Sequence, residues 1–502
     1  MSHVSEPTEE GSGPSKPSPE ESRPEESSMY VSRTDLVAIE DEGYKSHLTN
    51  RHIQMIAMGG AIGTGLFLGA GSRLHSAGPS LAIVYAISGV FAFLVVRAMG
   101  ELVMHRPTSG SFVSYSREFY GEKAAFTAGW LYFLNWATSG IADVTAAAIY
   151  VQFFWPNLPQ WIPALIALGL VLSINLVSVK LFGEMEFWFA AIKVAAIVIF
   201  MVIAIVVLVT RHPVAGNATG PQLIFSNGGF FPHGGLAALL ILQGIVFAYA
   251  GIEMVGVTAG EAAEPRKVIP KAVNAVGWRI AIFYVGSILL LVMLLPWGDY
   301  QAGQSPFVTF LTKLGVPGAG GVMDIVILTA ALSSVNSGLY STGRILRSLS
   351  VNGAAPRFTG KIGKNGVPYT GVLLTAGIYL LGIVLDFFVG GKTFEIALNF
   401  SALGIIGMWI MIMVANLGLQ RHAKRGLAPR PKYRLPGAPY TNYLTIAFLV
   451  AVFGLSWFDD PAGRIMIIGS PGIAILMIIG WFAVRKRVGE VKRRPMPGQK
   501  TG

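Results

Sequence analysis

Apolar residues along this chain come in long runs, not in the strict alternation of a half-buried strand or the one-sided stripe of a surface helix. About twelve runs of roughly 17 to 30 residues approach or exceed the length that crosses a bilayer. They fall near 52–75, 80–104, 124–154, 162–179, 187–210, 236–259, 275–296, 322–350, 370–389, 394–418, 443–459 and 465–484. Hydrocarbon offers backbone N–H and C=O groups no partners, so runs this long must be helical. A β-barrel would show alternating segments of about ten residues, and none occur. The pattern predicts an all-α polytopic membrane protein, with about 12 transmembrane helices over residues 47–486. The stretch 1–46, rich in Glu, Pro and Ser, reads as a disordered acidic cytoplasmic tail. It lacks the basic start and apolar core of a secretory signal. Residues 487–502 read as a basic cytoplasmic tail.

Two runs are interrupted at matching places. The first carries Gly59, Gly60, Ala61, Ile62, Gly63, Thr64 and Gly65 at its middle, and the sixth carries Phe247, Ala248, Tyr249, Ala250, Gly251, Ile252 and Glu253. Small residues also serve close helix packing, but four glycines in seven positions cost more helix stability than packing alone requires. Five spans separate the interruptions, so they have opposite orientation. That predicts a five-plus-five inverted repeat with broken first and sixth helices. A break exposes N–H groups at the start of one half-helix and C=O groups at the end of the other. The amides near Ile62, Gly63, Thr64 and Gly65 suit a carboxylate. The carbonyls near Phe247, Ala248, Tyr249 and Gly251 suit an ammonium group. Together they read the part common to all amino acids, so the expected partner is a small-molecule amino acid substrate.

Charge sharpens the membrane reading. Only 13% of residues are charged, against 53% hydrophobic, about half the charge of a soluble protein. The net charge of +11 would suit nucleic acid, but its placement does not. With both termini inside, thirty of the 38 Lys and Arg lie on the cytoplasmic side and five, Arg73 among them, in outer loops. This is a positive-inside distribution; it implies membrane lipid as a partner, no nucleic acid, and the cell membrane as location. The chain has no cysteine, its eight histidines show no metal-ligand spacing, and no nucleophile elbow, zinc-protease or phosphate-loop pattern occurs. No enzymatic reaction, cofactor or metal is expected.

Ionisable residues inside spans are costly and become candidates by default. Lys193, about two turns from the inner end of the fifth run, has two readings: snorkelling to headgroups, or carrying a proton with a cation's role at the site. Asp143, near the middle of the third run, is either a paired structural carboxylate or a partner for substrate or proton. Glu253 either holds the sixth break open or joins proton coupling. Arg97 and Glu101, four apart, are expected to pair, and Arg279, one turn into the seventh run, to snorkel. Ser333, Ser334, Asn336 and Ser337 in the eighth run either line a polar cavity or bind helices together.

The run from Arg51 to Gly69 resembles the first span of the amino acid–polyamine–organocation superfamily, and more narrowly of its bacterial amino acid transporter family. Residues 107–122 (PTSGSFVSYSREFYGE), 184–194 (EMEFWFAAIKV), 247–261 (FAYAGIEMVGVTAGE) and 332–348 (LSSVNSGLYSTGRILRS) fit the same family. The likeness covers about residues 43–490. It implies substrate at the two breaks and symport with protons, with Lys193 in the space a sodium ion fills in sodium-driven relatives. It also implies that position 143 faces the substrate. Many members carry Glu there; Asp is shared by the family's carriers of asparagine and of D-alanine, glycine and D-serine. A small neutral amino acid is thus implied, asparagine foremost because segments 227–234 (NGGFFPHG) and 296–317 lie closest to its carriers. A non-transporting amino acid sensor is the rival from another class, and it would call for a soluble signalling domain that the two short tails do not supply.

Overall fold

The computed structural model describes residues 49–492 apart from 61, 263, 364, 390, 391 and 460. The acidic tail at 1–46 therefore lies outside the described residues, as does the basic tail beyond 492. Among the described residues there is no strand; an isolated bridge pairs Val214 with Asn217. The helices are α1 Asn50–Gly59, α2 Thr64–Phe67, α3 Gly69–Ala77, α4 Leu81–His105, α5 Ser111–Tyr120, α6 Glu122–Phe154, α7 Trp161–Val177 and α8 Val179–Val209. They continue as α9 Gly234–Leu240, α10 Leu242–Ala248, α11 Met254–Val257, α12 Pro265–Arg279, α13 Ser287–Leu294 and α14 Pro306–Lys313. The set closes with α15 Ala319–Val351, α16 Tyr369–Val389, α17 Lys392–Lys424, α18 Tyr440–Leu455 and α19 Ala462–Lys492. A π-helical segment, Ile280–Gly286, joins α12 to α13.

Eight helical stretches among the described residues are long and apolar enough to cross a membrane. Two shorter apolar ones, Trp161–Val177 and Gly234–Ala248, accompany them. The chain is a multi-pass membrane protein. Helix α6 has the length, 33 residues, but Asn135, Thr138, Ser139 and Asp143 dilute its apolar character. The reason is its position: α6 lies along α15 and α17 at the centre of the bundle and faces protein more than lipid. Glycines bring the neighbours close. A Cβ on Gly140 would collide with the Tyr379 ring, whose hydroxyl donates to the Trp136 carbonyl at 3.0 Å. A Cβ on Gly404 would stand 2.6 Å from the Asn135 backbone nitrogen. Small residues at such crossings let dispersion contacts hold helices together where lipid removes the hydrophobic drive.

Helices α8 and α12 begin well before the apolar runs that announced them. Polar first turns, with Lys180 and Glu184 on α8 and Arg266 and Lys267 on α12, end an apolar run without ending a helix. Lys193 and Arg279 consequently sit near the middle of their helical stretches, not close to an inner end. Arg279 is half-buried, with one guanidinium nitrogen lacking a hydrogen-bond partner. Arg73 is also not in a loop. It lies in α3 and is buried.

The expected Arg97–Glu101 pair is absent. The Arg97 guanidinium donates to the Arg434 carbonyl at 2.9 Å and to Asn274 at 2.5 Å, and it lies over the Tyr433 ring at 3.5 Å. Glu101, fully buried, accepts from Arg430 at 2.7 Å and from the Leu435 backbone amide at 2.7 Å. Residues 430–435 thus form a strap across the ends of α4 and α12. Glu101→Ala removes two of the strap's anchors, those at Arg430 and Leu435. Trypsin cleavage after Lys432 and Arg434 in the folded protein should then accelerate about tenfold, as expected when local opening costs about 1.4 kcal/mol less. An unchanged digestion rate would show that the strap is held elsewhere.

Candidate substrate site at the two helix breaks

Helix α1 ends at Gly59, and Gly63 is extended (φ −130°, ψ −165°) as the cap of α2. Helix α10 ends at Ala248, and Gly251, at φ +94°, turns the chain toward α11. Both interruptions therefore exist, and they touch. A Cβ on Gly251 would collide with the Gly60 carbonyl, and one on Gly65 would stand 2.6 Å from the Ala248 Cα. Gly63 differs: a Cβ there meets nothing within 4 Å. Of the two glycines expected to face substrate, Gly63 borders open space, while Gly65 is taken up by packing against the other break. Ile62 and Thr64 beside it are buried.

The backbone groups released by the breaks have found side chains. Lys193 Nζ donates to the Gly59 carbonyl at 2.6 Å. The Tyr284 hydroxyl donates to the Ala248 carbonyl at 3.0 Å. The Gly251 amide donates to Glu253 at 3.1 Å. Arg73 donates to the Gly65 carbonyl at a longer 3.4 Å. The carbonyls of Phe247 and Tyr249 accept from the amides of Ala250 (2.8 Å) and Ile252 (3.5 Å). Each expected ammonium acceptor on the sixth break so far named thus already holds one bond and keeps a second lone pair. The Tyr249 side chain is spent on the Tyr85 carbonyl at 2.8 Å and packs its ring against Tyr85 and Tyr284.

Asp143 is fully buried and not alone. Thr64 Oγ1 donates to one carboxylate oxygen at 2.7 Å and Ser334 Oγ to the other at 2.5 Å. It therefore stands beside the first break, linked to α2 and α15. Lys193 is also buried, which removes the snorkelling reading. Besides Gly59 it donates to Ser333 Oγ at 2.9 Å, and Ser333 donates to Glu186 at 2.5 Å. Asn336 donates to the other Glu186 oxygen at 3.1 Å and receives 2.7 Å from Asn175. Glu186 and Lys193, two turns apart on α8, are bridged by a serine of another helix. The polar string on α15 supplied the signal for Ser333, Ser334 and Asn336, but spacing alone does not tell which carboxylate each would meet. Ser337 Oγ is buried without a hydrogen-bond partner.

Glu253 does what its structural reading required: one oxygen holds the Gly251 amide in the turn. Its proton-coupling role stays with the proposal below.

The whole span from the first break through the last helix matches one known family. The amino acid permease family model covers residues 52–493. The chain belongs to the amino acid permease family. The L-asparagine permease of Salmonella typhimurium is 58% identical over 455 residues, covering 90% of this chain and 92% of that protein. The L-asparagine permease of Streptomyces coelicolor is 56% identical over 461 residues, 91% and 94% of the two chains. That of Escherichia coli K12 is 56% identical over 467 residues, 93% and 94%. The family and these relatives agree with the likeness read from the sequence motifs.

The geometry separates glycines that pack from the glycine that borders space. Gly65→Ala and Gly251→Ala force backbone apart and should each destabilise the purified permease by about 1–3 kcal/mol. Gly63→Ala, extended and unobstructed, should stay within about 1 kcal/mol. Thermal unfolding in detergent reads the difference, and equal losses at all three positions would contradict it.

Proposed function

We propose that this permease carries L-asparagine into the cell together with protons. The reading places it in the cytoplasmic membrane with both termini inside. About twelve spans would form two inverted five-helix halves and two further helices. The asymmetric Lys and Arg distribution supports the orientation, the two touching breaks support the repeat, and the names of the close relatives support the substrate.

The observation that carries the reading is Asp143 beside the open face of Gly63. An amino acid lying there would put its carboxylate on the amides of the break, near Ile62, Gly63, Thr64 and Gly65. Its ammonium group would face the remaining lone pairs of Phe247, Ala248, Tyr249 and Gly251. Asp143, already receiving from Thr64 and Ser334, keeps lone pairs for an N–H of the ammonium or of a side-chain amide. Asp, one methylene shorter than Glu, leaves room for a compact side chain. Buried without its partners the carboxylate would cost several kcal/mol, so its neighbours and its ligand share one electrostatic balance.

Lys193 would supply the proton link. Protonated, it binds the Gly59 carbonyl by a charge-assisted bond and, through Ser333, reaches Glu186. Deprotonated, it loses the charge that holds the end of α1 against α8. Loading and release of a proton there would bias the seam between the broken helix and its neighbour. Glu253, on the second break, is the other group placed to take part.

Uptake of labelled L-asparagine into proteoliposomes tests the whole reading. An inward pH gradient should drive accumulation and a protonophore should collapse it. Asp143→Asn should insert and fold yet lose accumulation by at least about tenfold, the loss expected when about 1.4 kcal/mol of ligand interaction disappears. A strict sodium requirement would refute proton coupling. Uptake restricted to D-alanine, glycine and D-serine would refute the substrate and favour the rival carrier.

A further inference from the structure

A cavity of about 490 Å³ opens between α3, α9, α10, α17 and residues Phe458, Asp459 and Pro461. It opens beside the breaks, sharing Arg73 and two of their helices with them. Its buried charge is Arg73, only 9% exposed. The guanidinium is seated on two glycines from different helices: a Cβ on Gly69 or on Gly244 would occupy its place. Its hydrogen bond to the Gly65 carbonyl, at 3.4 Å, is long for a guanidinium, which carries five donors. Glu395 and Asp459 line the same cavity and lie within electrostatic reach of Arg73. The remaining polar lining is Ser72, Ser76 and an amide pair, Gln243 donating to Asn399 at 2.5 Å, both nearly fully buried.

We propose that this cavity is a second amino acid site, taking a neutral zwitterion with a side-chain amide before it enters the breaks. The site rests on the carrier reading above and adds to it a place of first capture. The guanidinium suits the ligand's carboxylate, which it can hold with two parallel donors. Glu395 and Asp459 suit its ammonium group. Gln243 and Asn399 offer donor and acceptor for an amide side chain. The volume accommodates a small amino acid together with water. Placement supports capture: Gln243 lies one helical turn before Phe247 on α10, and Arg73 touches the carbonyl of Gly65. The charge balance also discriminates. Two carboxylates against one guanidinium repel a side-chain carboxylate, so the site should accept asparagine and reject aspartate.

The full-length protein in lipid nanodiscs, titrated with radiolabelled L-asparagine, tests the site. Two equivalents per chain are expected, with the weaker one insensitive to excess L-aspartate. The double variant Glu395→Gln and Asp459→Asn, at positions that are not buried, should bind one equivalent. In proteoliposomes it should raise the KM for uptake about tenfold with the maximal rate preserved. Normal uptake with a single equivalent in the native protein, or an unchanged KM in the double variant, overturns the second site alone. No uptake and no binding by the native protein would sink the carrier reading and this one together.

Discussion

A helix broken inside an apolar interior releases N–H and C=O groups that solvent does not reach, and each one left unpaired costs about 1–3 kcal/mol. The rest of this structure is arranged around that constraint. Four side chains take up the released groups: Lys193 at Gly59, Tyr284 at Ala248, Glu253 at Gly251 and Arg73 at Gly65. Three of them bring charge into the membrane interior, where charge is otherwise excluded. Their presence follows from the breaks, since a charged donor or acceptor makes a stronger bond to a backbone dipole than a neutral one does. Lys193 and Tyr284 come from outside the broken helices, so capping the breaks also ties α8 and the α12–α13 segment to the centre of the bundle.

The same constraint explains how the glycines are used. Two breaks can satisfy each other's shape only if their backbones approach, and the Gly60–Gly251 and Gly65–Ala248 contacts leave no room for a Cβ on Gly251 or Gly65. Gly251 must also adopt φ +94°, a conformation costly for any residue with a side chain. Gly63 carries neither burden. A glycine where nothing crowds it leaves the neighbouring backbone open, and this separates Gly63 from the packing glycine Gly65 within one seven-residue motif.

Much of this was legible in the chain itself. Long apolar runs identify membrane helices because lipid-facing and protein-facing surfaces both favour apolar residues, and clustered glycines identify the first break because a helix gains nothing from them. Boundaries were less legible. The first turns of α8 and α12 are polar because they leave the apolar layer, so the runs near 187 and 275 began late and misplaced the depth of Lys193 and Arg279. Arg97 and Glu101 have the spacing of a helical ion pair, yet partners from residues 430–435, more than three hundred positions away, outcompete that pairing. The contacts of Asp143 were hidden for the same reason. Depth along α6 marks it as unusual, but only the assembled bundle brings Thr64 and Ser334 to its two oxygens.

The two buried charges nearest the first break turn out to be held by consecutive residues. Ser333 accepts from Lys193, and Ser334 donates to Asp143. Across the break the arrangement repeats: Lys193 holds Gly59 at the end of α1, and Asp143 holds Thr64 at the start of α2. The short connection between Gly59 and Thr64 is therefore gripped at both ends by opposite charges that share one support on α15. Neutralising Lys193 weakens one grip, and drawing Asp143 toward a ligand weakens the other. Either change alters the force on the same few residues of backbone, which are also those bordering open space at Gly63. Under the proposed carrier function, proton and substrate need no long pathway to sense each other. Their coupling free energy, reciprocal by necessity, can reside in this single doubly held break.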